Sequence, residues 1–191
     1  MSAKDNIIAL PNSRLRQKSR RLPVITPEAL SIIKEMVEAT VDWEESREHE
    51  VGVALAAIQI DKPYRIIIVR NDFENKADKT FSIFINPEIV KAEGELKEDY
   101  EGCLSVSDVY GKVPRYDKVR IRALDETGRP VRVKAEGFLA RIFQHEIDHT
   151  NGIMFVDHLK DHKDAFYRLT DKGKLEPLAY EEVEKSGVFE S

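Results

Sequence analysis

Between Gly137 and Gly152 the chain carries a segment that dictates how the rest must be arranged. Phe138, Leu139, Ile142, Phe143 and Ile147 recur at the three- and four-residue steps of an apolar helix, and Gly152 stands where a helix takes its C-terminal glycine. The same stretch contains His145-Glu146-Ile147-Asp148-His149. A buried helix cannot keep imidazoles and a carboxylate without partners, because unpaired polar groups are costly away from water. The fold therefore has to wrap around this helix and also bring something to it.

A cation satisfies that requirement. Positions four apart share a helical face, so His145 and His149 can meet one metal ion at about 2.0–2.1 Å each. Glu146, one residue further round, reaches a water beside the ion and not the ion itself, and can take a proton from it. The same five-residue pattern also arises as two surface histidines among acids; here the apolar setting separates the two readings. A stable site needs a third protein ligand. The metalloprotease pattern with a histidine six residues after the second fails, since that position is Phe155. A downstream carboxylate would have to be Glu176 or later, and His158 and His162 lie in a charged segment expected to face solvent. Cys103 is left, in Glu101-Gly102-Cys103-Leu104-Ser105, where the neighbouring glycine suggests an extended segment at a tight backbone approach. A lone cysteine also reads as a small buried hydrophobe.

The remaining sequence predicts an α+β fold, with antiparallel strands and hairpins packed around a central metal-binding helix and an N-terminal amphipathic helix. That first helix spans 26–42, with Thr26 as cap, Pro27 at the first position and a stripe through Ala29, Ile32, Ile33, Met36, Val37 and Thr40. Asp42 to Glu50 reads as a charged loop. Strands are expected at Tyr64–Val69 and at Phe81–Ile85, the latter stopped by Asn86-Pro87, and a hairpin turns at Asp125–Gly128. At 191 residues the chain reads as a single catalytic domain over 1–158 with a C-terminal appendage, 159–191, packed or partly mobile and anchored to about Tyr180. Lys and Arg total 30 against 35 Asp and Glu, a net charge of −5 that argues against a surface built to bind nucleic acid. The longest apolar run, Val53–Ile58, is far below the ~20 residues that span a bilayer. Met1–Leu10 lacks the apolar stretch of a secretory leader, whereas Arg14–Arg21 has the basic, acid-poor composition of an organelle transit segment. One cysteine excludes an internal disulfide and suits a reducing cytoplasm.

Three segments occur together in an informative order. Gly52-Val53-Ala54-Leu55-Ala56-Ala57-Ile58-Gln59, Glu101–Ser105 and Gln144–His149 resemble the GxGLAAxQ, EGCLS and QHExDH motifs of peptide deformylases. With flanking similarity from Leu10-Pro11 to Asp157, the resemblance covers about four-fifths of the chain. It assigns the basic N-terminal stretch to the folded domain, which argues against organelle import. The resemblance implies that Cys103, His145 and His149 hold one divalent metal, Fe(II) in the cell with Zn, Ni or Co as alternatives. It implies Glu146 as proton carrier and the Gln59 side-chain amide and Leu104 backbone N–H as oxyanion donors. Substrate contacts are implied for Val53, Ala54 and Gly102; Leu139 and Ile142 share a helical side with His145 at three-residue steps and either line the methionine pocket or pack in the core. The expected partners are nascent peptides bearing N-formylmethionine, met by a cytoplasmic monomer with transient ribosome association, and neither nucleic acid nor membrane. Arg115 and Arg141 match recurrent arginines of the family and are expected to pair with Glu101 or Asp148. Gln144 either orients part of the site or is a helix-surface amide. Ala54 departs from the family's second glycine and is expected to crowd the peptide-binding strand. Ser107 and Thr150 also depart, and the tail beyond Leu159 does not match, so docking to the ribosome through it is not implied. Two other readings are an endopeptidase with a different third ligand, for which Cys103 would be dispensable, and a non-catalytic binding module.

Overall fold

The structure, a computed structural model, describes residues 2–190. Helix α1 (Pro27–Glu45) starts as the sequence predicts: the Thr26 hydroxyl accepts from the Ala29 amide at 3.3 Å, and Ala29, Ile32, Ile33 and Met36 face the core. Its end differs from the expected loop, because the helix continues through Asp42–Glu45. The cause is Glu44, which is fully buried and accepts from Arg70 Nη2 at 2.6 Å, Lys79 Nζ at 2.5 Å and the Gly52 amide at 3.0 Å. Arg70 is itself buried and donates through Nε to the Gly52 carbonyl at 3.0 Å. Glu44 and Arg70 thus hold Gly52 from both its peptide groups. Only glycine fits there, since a Cβ would stand 2.6 Å from the Thr40 methyl.

Seven strands form one sheet of antiparallel pairs: β1 (Ala54–Ala56), β2 (Ile66–Arg70), β3 (Phe81–Cys103), β4 (Val106–Leu124), β5 (Pro130–Glu136), β6 (Phe166–Leu169) and β7 (Leu175–Pro177). Their order is β1-β2-β3-β4-β6-β7, and β5 pairs with the far half of β4 in the expected hairpin. Asn86-Pro87 does not stop β3. The register shifts between Ile85 and Glu88, Asn86 takes a φ of 53°, and its amide exchanges two 2.8 Å hydrogen bonds with the Leu22 backbone. A proline is tolerated at such a bulge because no ladder donor is demanded of it.

Helix α2 (Gly137–Thr150) lies across the sheet with Ala140 to Ile147 all buried. One face packs with Ile67, Phe84, Val119 and Ile121; α1 covers the other side of β1 and β2 through Leu55, Ile66 and Ile68. A further cluster joins Val106, Val113 and Phe155 to Phe166, Leu178 and Val183, so the chain after Leu159 adds two strands and helix α3 (Tyr180–Lys185) to the same body. This packing reaches Val188, beyond Tyr180.

Replacing Glu44 with Ala leaves the Arg70 guanidinium buried without its carboxylate. Breaking a buried pair from one side costs about 3–5 kcal/mol, so urea denaturation is expected to show a loss of that size. A change under about 0.5 kcal/mol, typical of an ordinary surface substitution, would contradict the role given to this pair.

Candidate metal centre

Strand β3 ends at Cys103, and the chain reverses through Leu104-Ser105 into β4, with Cys103 paired to Val106. The sulfur therefore sits at a hairpin tip, held from both sides. Gly102 permits the close approach predicted for this segment, since a Cβ there would meet the Tyr110 ring at 2.5 Å. Opposite the tip, α2 presents His145 and His149 from adjacent turns, both buried. Cys103 Sγ lies 3.3 Å from His149 Nε2, and the two imidazole Nε2 atoms lie 3.1 Å apart.

These donors fit a metal. Bond lengths of ~2.3 Å to sulfur and ~2.0–2.1 Å to nitrogen place tetrahedral ligands about 3.3–3.6 Å apart, within a few tenths of what is seen. Among the described residues, Cys103, His145 and His149 are the one group of three converging ligand atoms. The other candidates are elsewhere: His158 Nε2 is 2.8 Å from Asp148 Oδ2, and His162 and Glu176 are exposed.

Glu101, two residues before the cysteine, accounts for the orientation of the first imidazole. His145 Nδ1 lies 3.0 Å from Glu101 Oε2. An ionised carboxylate only accepts, so Nδ1 carries a ring proton and Nε2 is the nitrogen turned toward Cys103 and His149. Arg115 grips Glu101 with two donors, at 2.9 and 3.1 Å, and Arg141 Nη1 adds a third at 2.8 Å. Burial alone would push the Glu101 carboxyl up, but His145 and Arg115 outweigh it and hold it far below the usual carboxylate range. Arg115 also donates to Asp148 Oδ2 at 2.6 Å; burial likewise acts to raise Asp148, and His158 and Arg115 keep it low. The expected pairing of both arginines is thus present. Gln144 is neither at the site nor on the surface: its amide joins α2 to β4 through the Tyr116 N–H at 3.1 Å and carbonyl at 2.8 Å.

Gln59 follows β1 in a 3₁₀ turn (Ala57–Ile60). Its Oε1 accepts from the Ala56 amide at 2.8 Å, which fixes the flip and turns Nε2 toward Ser105 Oγ at 3.1 Å and Cys103 Sγ at 3.5 Å. Glu146 is buried, with Oε2 lacking any protein hydrogen bond. Burial raises its carboxyl to about 7, against the opposing influence of His145.

A cavity of about 360 Å³ opens onto these groups, and Val53, Ala54, Gly102, Leu104 and Ile142 line it. Leu139 does not; it packs against the core cluster, and Phe138 takes the cavity position while remaining 46% exposed. Phe138, Ile142 and Glu146 are four residues apart, a spacing that marks the shared face and was available in the sequence. Tyr100 and Tyr110 also belong to this neighbourhood and had no motif to flag them, while Ser105, the last residue of the Glu101–Ser105 motif, meets the Gln59 amide. Ala54 is buried in the core cluster and is absent from the residues with left-handed backbone, so no glycine conformation is demanded of it.

Comparison with known proteins agrees with this architecture. The family model described as polypeptide deformylase matches residues 4–165. A peptide deformylase of Nitrobacter hamburgensis is 42% identical over 156 residues, covering 80% of this chain and 85% of that protein. One from Thermomicrobium roseum is 42% identical over 164 residues, covering 84% and 89%. Among solved structures, a Synechococcus elongatus peptide deformylase in complex with actinonin superposes with a TM-score of 0.73 at 34% identity, covering 82% of this chain and 80% of that one.

Removing the charge of Glu101 tests its support of His145. In Glu101→Gln, competition against a chelator is expected to show metal affinity weakened about 10–100-fold, the usual consequence of losing a ligand's hydrogen-bond partner. Wild-type affinity together with wild-type melting would refute it.

Proposed function

Taking as premise that this chain belongs to the peptide deformylase family, metal-dependent hydrolases that remove the formyl group from the N-terminal formylmethionine of newly made polypeptides, we propose how its own residues divide that work. Cys103, His145 and His149 hold one divalent ion, which supplies Lewis acidity and makes water acidic enough to serve as a nucleophile near neutral pH. We assign Fe(II) to the site in the cell. One thiolate and two imidazoles form a borderline-soft donor set that also accepts Zn, Ni or Co.

Glu146 takes a proton from the attacking water as the water oxygen bonds to the formyl carbon. It then gives that proton to the amine nitrogen as the C–N bond breaks, releasing formate and a free methionine amine. The observation that carries this assignment is the buried carboxylate with an unpartnered oxygen in the cavity wall, beside the atoms that would hold the metal, where it can take and return a proton. Charge developing on the formyl oxygen is met by Gln59 Nε2 and the Leu104 N–H. The Ala56 amide already orients Gln59, so little reorganisation is needed as charge appears.

The methionine side chain enters between Val53, Gly102 and Ile142, and the peptide behind it runs along β1. That strand ends the sheet and leaves one edge free to receive an extended chain. We place the enzyme in the cytoplasm as a monomer that meets nascent peptides transiently at the ribosome. No described helix is long and apolar enough to cross a membrane, and a single free cysteine suits a reducing compartment.

Turnover of a formyl-Met peptide, measured beside its N-acetyl twin on anaerobically purified protein, tests the reading. Glu146→Ala is expected to keep its metal and lose about 10²–10⁴ in kcat. Loss of the metal in that variant would show that Glu146 is a ligand instead. Gln59→Ala is expected to cost about 10²–10³ in kcat, and a change confined to KM would remove it from the oxyanion site.

A further inference from the structure

The matched family region ends at residue 165, immediately before β6. We propose that the β6–β7 hairpin is a substrate-positioning element, in which Tyr167 holds the outer wall of the catalytic cavity and so sets affinity for the peptide and not the rate of the chemical step. This rests on the reading of that cavity as the deformylase substrate cleft.

Three cavity-lining residues from three parts of the chain converge on the hairpin. Tyr100, near the end of β3, meets the Tyr167 ring edge-on at 4.9 Å and 85°. Tyr110, on β4, is paired directly with Tyr167 across the sheet. His49, in the segment between α1 and β1, has Nε2 3.0 Å from the Asp171 carbonyl, and Gly173 comes so near that a Cβ would stand 3.1 Å from the imidazole. Tyr110 closes the ring of contacts by donating its hydroxyl to Glu50 at 2.6 Å, a bond that together with burial pushes its own ionisation upward. None of these residues belongs to the metal group.

The hairpin can act as a brace because it is anchored elsewhere. Phe166 and Leu178, at its two ends, are buried with Phe155 and Val183, and the Leu178 amide donates to the Phe166 carbonyl at 2.9 Å. Tyr100, by contrast, is 37% exposed; besides Tyr167, its ring has the Lys112 ammonium at 5.4 Å. Without the Tyr167 edge, little fixes where the Tyr100 ring stands at the mouth of the cavity.

The experiment uses metal-loaded full-length protein and a formyl-Met tripeptide. Tyr167→Ala is expected to raise KM about three- to ten-fold, the scale of one lost edge-to-face aromatic contact, with kcat within two-fold and metal content unchanged. Tyr167→Phe, which keeps the ring, is expected to restore the wild-type KM. Tyr100→Ala approaches the contact from the other side and gives the result if Tyr167→Ala fails to fold; the same rise in KM is expected, without further increase in the double variant. An unchanged KM in the foldable variants, or a fall in kcat that parallels metal loss, would overturn the proposal. If the wild-type protein itself fails to deformylate the tripeptide, the reading of the cleft fails before the hairpin is tested.

Discussion

The carboxylate of Glu101 is the constraint on which the site's geometry rests. It lies on the same strand as Cys103, two residues away, and is gripped by Arg115 of β4, Arg141 of α2 and the Nδ1 of His145. Four charged or polar groups leave water together, which is unfavourable unless each finds a partner in good geometry. Here they do, and the arrangement fixes the end of β3 relative to α2. The strand that carries the carboxylate also carries the sulfur, so docking one delivers the other. A shift of β3 by one residue would turn Glu101 away from its three partners and Cys103 away from both imidazoles.

Around this fixed point the proposed division of labour separates binding from chemistry. The groups to which we assign the chemistry come from rigid elements: a hairpin tip, a buried helix and a turn whose glutamine is bound at both ends of its amide. The outer wall of the cavity is assembled from strand edges, the segment after α1 and aromatic rings. The Glu44–Arg70 pair serves that wall by gripping Gly52, just ahead of β1. Burial thus has two uses in one molecule. At Glu44 and Glu101 cations face the buried carboxylates and stiffen the frame, whereas at Glu146 burial outweighs the opposing pull of His145 and raises the carboxyl to about 7.

Much of the convergence of Cys103, His145 and His149 was legible in the residues, because metal ligation imposes spacing. His145 and His149 share a face by helical period alone, and the failure at Phe155 removed one rival ligand pattern. Cys103 could not be chosen from spacing, since nothing local says which strand end will reach the helix; the motif resemblance made that choice, and the Glu101 ion pairs now give its physical reason. Tertiary contacts account for the departures. Asp42–Glu45 looked solvated by charge, yet one member, Glu44, is a core residue whose partners lie far along the chain. Asn86-Pro87 looked like a stop, but the Asn86 side chain finds the Leu22 backbone and converts the stop into a bulge. Gln144 reads as an ordinary helix amide until Tyr116 is placed beside it. Leu139 shares a helical side with Ile142 and His145 at three-residue steps, a pattern equally consistent with core packing, and only the position of the sheet decides that it packs in the core while Phe138 lines the cavity.

The claim that sulfur from a strand end and two ring nitrogens from one helix share a single cation is open to direct measurement. X-ray absorption at the metal edge of the anaerobically prepared protein should give one sulfur at about 2.3 Å and two nitrogens at about 2.0–2.1 Å. The sulfur shell should vanish in Cys103→Ala. A first shell made of nitrogen and oxygen alone in the wild-type protein would contradict the account.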